Sequence, residues 1–215
     1  MRLAVIPARG GSKRIPRKNI KEFCGEPMIA RSIKAALSCG IFDDIIVSTD
    51  DDEIAKAALS YGASVPFKRP KHLSDDITPT VPVIRHALQW YEDHHSKVDY
   101  VCCIYATAPF VSSTEILAAY EQLIRTGAKF CLPLATFAFP IQRAVTVIGN
   151  ERIEMMYPEN ELKRSQDLIE TYHDVGQFYW GSTEAWYNSN NLMSSETTSI
   201  QIPRWRAQDI DTEED

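Results

Sequence analysis

The chain has 215 residues, of which 44% are hydrophobic, and it carries a formal net charge of -6. This length suffices for one sizeable core, so we expect a single domain over residues 1–215. The acidic balance argues against a protein that mainly binds nucleic acid or an anionic membrane, because both require a cationic face. Any anionic ligand must therefore meet a local cluster of positive charge.

The cysteines and the absence of long apolar runs indicate the compartment. There are five cysteines with no C-x-x-C spacing, and Cys102 and Cys103 lie inside an apolar run, where thiols pack as small hydrophobic groups. No apolar stretch approaches the roughly 20 residues that cross a bilayer, and the apolar run from Leu3 does not resemble a signal peptide. We therefore expect a cytoplasmic protein.

In chain order, short apolar runs alternate with amphipathic segments. Strands are predicted at 3–7, 44–49, 63–67 and 100–105, and helices at 28–37, 51–61, 80–94 and 115–125. Gly40, Gly62 and Gly127 follow three of the helical segments, where helices commonly stop. This alternation indicates an α/β fold of Rossmann-like type, with a mostly parallel, twisted sheet and helices on both faces.

The pattern changes from about residue 136. Residues 144–148 and 152–156 flank Gly149-Asn150 in the manner of a β-hairpin. Residues 136–168 break the strand and helix alternation, and their apolar side chains have no obvious place in the parent sheet. We therefore interpret them as an insertion that forms the interface of a homodimer.

A basic, glycine-containing loop follows the first predicted strand. It reads Arg-Gly-Gly-Ser-Lys-Arg over residues 9–14, and its glycines would let backbone N–H groups approach phosphate oxygens. It is neither a Walker A loop nor the Gly-x-Gly-x-x-Gly of dinucleotide folds, and an ordinary solvated turn remains an alternative. Ligands of parallel sheets bind at the carboxyl ends of strands, where this loop should meet 50–53 and 106–111.

The longer string Ala-Arg-Gly-Gly-Ser-Lys-Arg-Ile-Pro-Arg-Lys-Asn-Ile, residues 8–20, resembles the signature loop of the acylneuraminate cytidylyltransferases. The resemblance continues through Arg69-Pro70-x-x-Leu73-x-x-Asp76 to Asp209-x-Asp211. It implies a nucleotidyltransferase fold and transfer of CMP from CTP to a nonulosonic acid. The string at 172–180 is similar to that of pseudaminic acid cytidylyltransferases, so pseudaminic acid is the expected sugar.

The resemblance also implies which residues bind CTP: Ala8, Arg9, Gly10, Gly11, Ser12, Lys13, Lys18, Asn19, Arg69 and Asp76. Among them, Lys18 would neutralise the departing pyrophosphate, and Asn19 and Arg69 would position ribose and base. Phosphoryl transfer depends mainly on positioning and charge neutralisation. The expected catalytic residues are therefore Arg9, Lys13, Lys18 and Asp211. A surface salt bridge is the alternative for Arg69.

Asp209 and Asp211 are the candidate metal ligands. In an extended segment their spacing of two points both carboxylates to one side, and two hard oxygen ligands suit Mg²⁺. The pattern alone is also typical of a solvated acidic tail, but the resemblance assigns the pair to the metal. The rival cluster Asp50-Asp51-Asp52 is interpreted mainly as helix-capping charge. The general base stays unassigned.

Three segments that meet the sugar in the resembled family, 105–109, 164–168 and 172–180, differ here from the sialic acid enzymes. The expected sugar contacts are Tyr105, Thr107, Arg164, Gln166, Tyr172, His173, Gln177 and Phe178. They combine hydrogen-bonding groups with apolar faces that suit acetyl and methyl groups. For Tyr179 and Trp180, a strand whose aromatic side chains fill the core is favoured. Transfer to sialic, legionaminic or 3-deoxy-octulosonic acid, or a catalytically silent nucleotide-binding regulator, remain alternative functions.

Overall fold

Apolar runs form the strands and amphipathic segments form the helices in the computed structural model, which describes residues 1–212 and 214–215. The strands are β1 Arg2–Pro7, β2 Glu22–Phe23, β3 Glu26–Pro27, β4 Asp44–Ser48, β5 Tyr100–Ile104, β6 Phe130–Thr136, β7 Val145–Ile148, β8 Arg152–Met155, β9 Tyr172–Asp174, β10 Phe178–Ser182 and β11 Thr197–Gln201. The helices are α1 Met28–Cys39, α2 Asp52–Ser60, α3 Thr80–His94, α4 Ser113–Thr126 and α5 Thr183–Asn188.

The central sheet has the order β11-β6-β10-β5-β1-β4, with β9 paired to β6. β1 pairs in parallel with β4 and β5, and β6 pairs in parallel with β11. β10 lies antiparallel between β5 and β6. Of the seven sheet strands in the described residues, five therefore run in one direction, and only β9 and β10 oppose them. The predicted mostly parallel sheet is confirmed.

Helices cover both faces of the sheet because consecutive strand residues point to opposite sides. Ala4 and Ile6 of β1 pack with α1, α2 and α4, whereas Leu3 and Val5 pack with α3 and α5. Each fully buried Leu, Ile or Val side chain contributes about 1.5–3 kcal/mol. This two-sided core fixes the strand ends, and therefore the loops that leave them.

The helix boundaries follow the capping residues seen in the sequence. Gly40 and Gly127 adopt left-handed conformations after α1 and α4, with φ of 68° and 66°. Asp51 precedes α2, and its carboxylate accepts hydrogen bonds from the backbone N–H groups of Glu53 and Ile54, both at 3.0 Å. The interpretation of this acid as a helix cap is confirmed.

Residues 63–67 do not form the predicted strand. The segment makes an isolated parallel bridge, Ile46 to Ser64, and a second bridge, Thr49 to Lys68, follows directly after it. Pro66 stands between these two contacts, and its missing N–H cannot donate to a sheet ladder. The segment therefore runs beside β4 without extending the sheet.

The predicted hairpin is confirmed as β7 and β8, which pair only with each other within the described residues. Asn150 and Glu151 turn the chain with positive φ. The apolar side chains of the hairpin point into solvent, with Val147 76% and Ile153 67% exposed. The hairpin thus lies outside the two-sided core. In the part of the chain that the structure describes, every helix is too short or too polar to cross a membrane.

Candidate active site

A cleft of about 450 Å³ opens beyond the carboxyl ends of β1 and β5. Many of the residues predicted for CTP and sugar line it together. This lining includes Arg9, Ser12, Lys13, Lys18, Asn19, Arg69, Asp76, Tyr105 and Thr107. Thr80 and Val83 also line it, and sequence reasoning missed them because they fit the ordinary pattern of helix α3.

The basic loop is held in place by the acids that follow β4. The Gly10 N–H donates to Asp50 Oδ1 at 2.9 Å. A Cβ at Gly10 would lie 2.8 Å from Asp51 Oδ2, so the loop passes too close for any side chain. The Gly10 N–H is therefore used within the protein, and the expectation that it meets a phosphate is not met in this structure.

Ala8 does not reach the cleft either. It is 1% exposed in the core below the loop, and its N–H donates to the Ser48 carbonyl at 2.9 Å. Both its side chain and its donor are thus committed to packing and to the sheet edge. Gly11, in contrast, is exposed, and a Cβ at this position would meet no described atom within 4 Å.

Arg17 is a second support of the loop that the sequence did not reveal. It has a left-handed backbone, with φ of 58°, immediately before the short helical turn that carries Lys18 and Asn19. Its guanidinium donates to Asp51 at 2.5 and 3.0 Å and to Glu53 at 2.5 Å. This ion pair holds the pKa of Asp51 below its usual range. The sequence signal for this contact was the acid triplet Asp50-Asp51-Asp52 after β4. Residues at the carboxyl end of one parallel strand lie beside the loop that leaves the neighbouring strand.

The cations of the loop are paired with two acids. Arg9 and Lys13 both contact the carboxylate of Asp76, and these contacts, Lys13 first, lower the pKa of that carboxyl. Arg14 donates to Asp211 Oδ1 at 2.8 Å, and Lys18 lies 3.4 Å from the same oxygen. A bound triphosphate would therefore compete with these carboxylates for the same donors.

Arg69 is 5% exposed, so the alternative of a surface salt bridge is wrong. It donates to the Ser48 carbonyl at 2.6 Å, while its Nε is buried and has no partner among the described residues. Burial lowers its pKa to about 10, which leaves the guanidinium charged at neutral pH. An unpaired buried donor at the cleft is a group that a polar ligand can satisfy. Asn19, 8% exposed, donates to the Arg9 carbonyl at 2.8 Å and stiffens the loop.

The acid pair lies on the segment after β11 and flanks an apolar anchor, Ile210. Ile210, 7% exposed, packs against Ile15 of the basic loop and Met28 of α1. Desolvation, and then the charge of Asp211, raise the pKa of Asp209. The two carboxylates are thus close enough to repel each other, and they lie beside the cationic loop.

The donor set of the acid pair fits Mg²⁺. None of the described residues donates a hydrogen bond to the Asp209 carboxylate, and a nearby cation would relieve the repulsion between Asp209 and Asp211. In the described residues no group of three or more candidate metal ligands occurs. Magnesium sites commonly use one or two carboxylates and complete their shell with waters and substrate phosphates. The geometry therefore suits a metal that arrives with a nucleotide.

Tyr105 begins a hydrogen-bonded group at the back of the cleft. Its hydroxyl lies 2.6 Å from the Thr80 hydroxyl, and its ring packs edge-on against Tyr179, with centroids 5.4 Å apart. The Tyr179 hydroxyl donates to Asp174 Oδ2 at 2.5 Å. Burial raises the pKa of both phenols, so they remain protonated hydrogen-bonding groups at physiological pH.

Two of the expected sugar contacts lie inside the core, and these predictions require correction. Gln177 and Phe178 are both 0% exposed. β10 is a central strand with helices on both faces, so side chains on either side of it are buried. The Gln177 amide donates to the Arg206 carbonyl at 2.6 Å, and Phe178 packs in the core beneath α1 and α4. The favoured core role of Tyr179 and Trp180 is confirmed.

The remaining sugar predictions fall outside the cleft lining. Tyr172 and His173 belong to β9, where the Tyr172 hydroxyl donates to Glu170 at 2.5 Å. Arg164 and Gln166 are exposed on the segment that follows the hairpin. The structure therefore brings together seven of the ten predicted nucleotide residues and two of the eight predicted sugar residues, and the others lie outside this lining.

Residues 3–208 match a family model described as cytidylyltransferase. A pseudaminic acid cytidylyltransferase from Campylobacter jejuni (serotype O:23/36, strain 81-176) is 44% identical over 213 residues, which cover 99% of this chain and 92% of that protein. A CMP-N,N'-diacetyllegionaminic acid synthase from Legionella pneumophila is 40% identical over 125 residues, 58% of this chain and 54% of that protein. A solved CMP:2-keto-3-deoxy-manno-octonic acid synthetase complexed with CTP has the same fold, with a TM-score of 0.69 and 17% identity over 94% of this chain and 90% of that one.

Proposed function

The chain belongs to the cytidylyltransferase family, and we propose that it transfers CMP from CTP to the anomeric hydroxyl of pseudaminic acid, releasing pyrophosphate. One observation carries the chemical part of this proposal. A cationic loop lines the cleft beyond the carboxyl ends of β1 and β5, and two of the lining residues, Arg14 and Lys18, contact Asp211 of the acid pair, which is distant in sequence. That combination supplies the charge neutralisation that phosphoryl transfer requires.

In the proposed reaction the anomeric oxygen attacks the α-phosphorus of CTP in line. A new phosphorus–oxygen bond forms, the bond to the bridging oxygen of the β-phosphate breaks, and the proton of the sugar hydroxyl is released to solvent. Arg9, Ser12 and Lys13 hold the phosphates, and Lys18 meets the charge that develops on pyrophosphate. Arg9 and Lys13 first exchange their contacts with Asp76 for contacts with CTP.

Asp209 and Asp211 would hold Mg²⁺ with the nucleotide. When bound, the ion would neutralise phosphate charge and lower the pKa of the attacking hydroxyl. The chain itself contributes two acids whose mutual repulsion a cation relieves. It also contributes Arg14 and Lys18, which limit the negative charge around Asp211.

Arg69 and Asn19 are the proposed ribose and base contacts. Both line the cleft, and both are nearly buried, so each holds a fixed orientation. The unpaired Nε of Arg69 offers a donor to a ligand oxygen. The cost of leaving such a donor unpaired, about 1–3 kcal/mol, is recovered only when a matching acceptor binds.

The choice of pseudaminic acid has two supports. The relative that carries this activity in its name matches over nearly the whole chain, whereas the legionaminic acid synthase matches over little more than half. Within the cleft, Tyr105 and Thr107 offer an aromatic face and a hydroxyl as proposed sugar contacts. We also propose a cytoplasmic location, supported by five cysteines that are all free thiols.

We propose that the chain acts as a homodimer through the insertion. Its apolar side chains are unusually exposed, with Phe139 at 83% and Leu162 at 95%. Arg164 and Gln166 lie on this exposed segment. In the proposed dimer, each copy would bring these two residues toward the sugar in the cleft of the other copy. Sedimentation of the wild type should give a dimer, and Leu162→Asp should give monomers with reduced turnover. A fully active wild-type monomer would contradict the proposal.

The function is tested by pyrophosphate release in the presence of CTP and Mg²⁺. We expect rapid release with pseudaminic acid and slow release with N-acetylneuraminic, legionaminic or 3-deoxy-octulosonic acid. Preference for another of these sugars would overturn the sugar assignment alone. No release with any of them would overturn the enzymatic function and favour a nucleotide-binding regulator.

A further inference from the structure

The segment that carries the acid pair has few main-chain ties to the rest of the fold. Its last sheet hydrogen bond runs from the Ile202 N–H to the Leu134 carbonyl at 2.9 Å. Beyond it, the described residues form the short turn Arg204–Arg206 and then an irregular stretch, in which the N–H groups of Asp211 and Thr212 donate to Asp215 Oδ2 at 2.9 and 2.8 Å. Side-chain contacts must therefore decide where Asp209 and Asp211 lie.

Arg206 makes the most extensive of these contacts. Its Nη1 donates to Glu115 Oε1 and its Nη2 to the Phe110 carbonyl, both at 2.6 Å. The two ion-paired side chains are only 18% and 15% exposed. Glu115 lies in the first turn of α4, and Phe110 lies in the loop after β5. Arg206 thus ties the segment to two elements that the sheet already fixes.

The main chain of the same residue is tied as well. The carbonyl of Arg206 accepts a hydrogen bond at 2.6 Å from the Gln177 amide, which is fully buried beside β10. The other Gln177 side-chain atom, Oε1, is buried without a partner among the described residues. Buried polar groups are normally hydrogen-bonded. Among the described residues the Gln177 side chain makes one hydrogen bond, to the Arg206 carbonyl, so this bond helps to fix the position of the segment.

Arg206 stands three residues before Asp209, so the tether between them is short. We propose that Arg206 is a positioning residue for the acid pair, which it holds opposite the basic loop through Glu115, the Phe110 carbonyl and the Gln177 amide. This inference rests on the proposed function. Ile210 and Lys18 anchor the far end of the segment, so loss of Arg206 should weaken metal binding without abolishing it.

The test measures Mn²⁺ binding to the full chain in the presence of saturating CTP, by electron paramagnetic resonance and calorimetry. Arg206→Gln should weaken Mn²⁺ binding by about tenfold or more, as loss of a residue that orients metal ligands commonly does. Binding of CTP alone, in chelator, should stay as in the wild type. In turnover, the apparent KM for Mg²⁺ should rise while kcat at saturating Mg²⁺ changes little. Arg206→Lys keeps the charge but not both hydrogen bonds. Its Mn²⁺ affinity should lie between those of the wild type and Arg206→Gln.

Arg85→Gln is the matched control. Arg85 donates to the carbonyls of Trp186 and Ser189, at 2.6 and 3.0 Å, and it lies on the opposite face of the sheet from α4. Its loss should lower the melting temperature and leave Mn²⁺ binding unchanged. Equal losses of Mn²⁺ binding in both variants would show a general effect of destabilisation and overturn the inference.

A folded Arg206→Gln chain that binds Mn²⁺ like the wild type would also overturn it. If that variant does not fold, Glu115→Gln decides, because it keeps the side-chain shape and removes the charge; unchanged Mn²⁺ binding there refutes the inference. Binding of Mn²⁺ and CTP requires no sugar. A wild-type chain that binds Mn²⁺ and CTP but releases no pyrophosphate would therefore contradict the proposed function. It would not contradict the positioning role of Arg206.

Discussion

The basic loop that lines the cleft and the acid segment that contacts it through Arg14 and Lys18 are the two sides of the candidate site, but they are built differently. The loop leaves β1 directly, and the Gly10 N–H, Arg17 and Asn19 hold it against neighbouring residues. The acid segment arrives from the end of the chain and depends on Arg206 and the Ile210 side chain. The loop thus follows directly from its strand and is tied to acids 34 to 40 positions away, whereas the acid segment depends in part on Glu115, which is 91 positions away. Substitutions should therefore affect the two sides differently.

The largest effect is expected from Asp211→Ala, which removes a carboxylate from the acid segment. Turnover should fall by about a thousandfold or more, because charge stabilisation in the transition state is lost. The loop should keep its structure, so CTP binding in chelator should persist. Steady-state pyrophosphate release and calorimetry measure the two quantities. Asp52→Asn, which removes the charge of an exposed acid paired with Lys68, should be fully active; full activity of Asp211→Ala would remove the metal assignment.

The next effect is expected from Gly10→Ala, which acts on the loop alone. The added methyl would meet Asp51 at 2.8 Å, so the loop must shift. A displacement of about 1 Å near the reacting groups commonly costs about a hundredfold in rate. We expect that loss in kcat/KM for CTP. The affinity of the chain for preformed Mn²⁺–CTP should fall in parallel. Gly149→Ala, which meets no atom within 4 Å, is the control, and an equal loss there would contradict the steric explanation.

Ile210→Ala acts where the two sides touch. Ile210 packs against Ile15 of the loop, so its truncation should loosen both sides of the cleft. The free energy of unfolding should fall by about 2 kcal/mol, at the low end for a buried aliphatic side chain because the cluster is small. Urea unfolding measures the stability, and the KM for Mg²⁺ and for CTP should rise together. A rise in only one of them would show that the two sides are not coupled through this contact.

The smallest effect is expected from Asp51→Asn. Asparagine still caps α2, so the change isolates the ion pair with Arg17, worth about 1 kcal/mol. Arg17 holds the pKa of Asp51 below its ordinary 3.8. At pH values above the ordinary pKa, the ion pair therefore stabilises the fold fully. This stabilisation is lost as the pH falls through the lower pKa that Asp51 has in the folded state. The stability difference from wild type should be present at neutral pH and diminish as the pH falls below 3.8; a difference that stays undiminished far below 3.8 would contradict this.

The contrast between the two sides also explains what the sequence predicts. Strand and helix periodicity and the glycine stops located most elements, and the basic loop could be placed because it follows β1 directly. Pro66 prevented a strand that apolar content alone suggested. Gln177 and Phe178 were misplaced because the sequence did not show that β10 lies between β5 and β6, in the covered centre of the sheet. The contacts of Arg206 left no local pattern, since Glu115 lies 91 positions away in the chain.

The antiparallel strand β10 has a consequence for how the chain folds on the ribosome. β10 lies between β5 and β6, so the two parts of the sheet cannot join until residues 178–182 have emerged. Until then the nascent chain exposes an unpaired edge of β5 that carries Cys102, Cys103 and Ile104, all fully buried in the finished protein. Exposed apolar strand edges promote intermolecular pairing. A chain truncated before β10 should therefore aggregate or remain bound to chaperones, even though it contains the entire nucleotide loop.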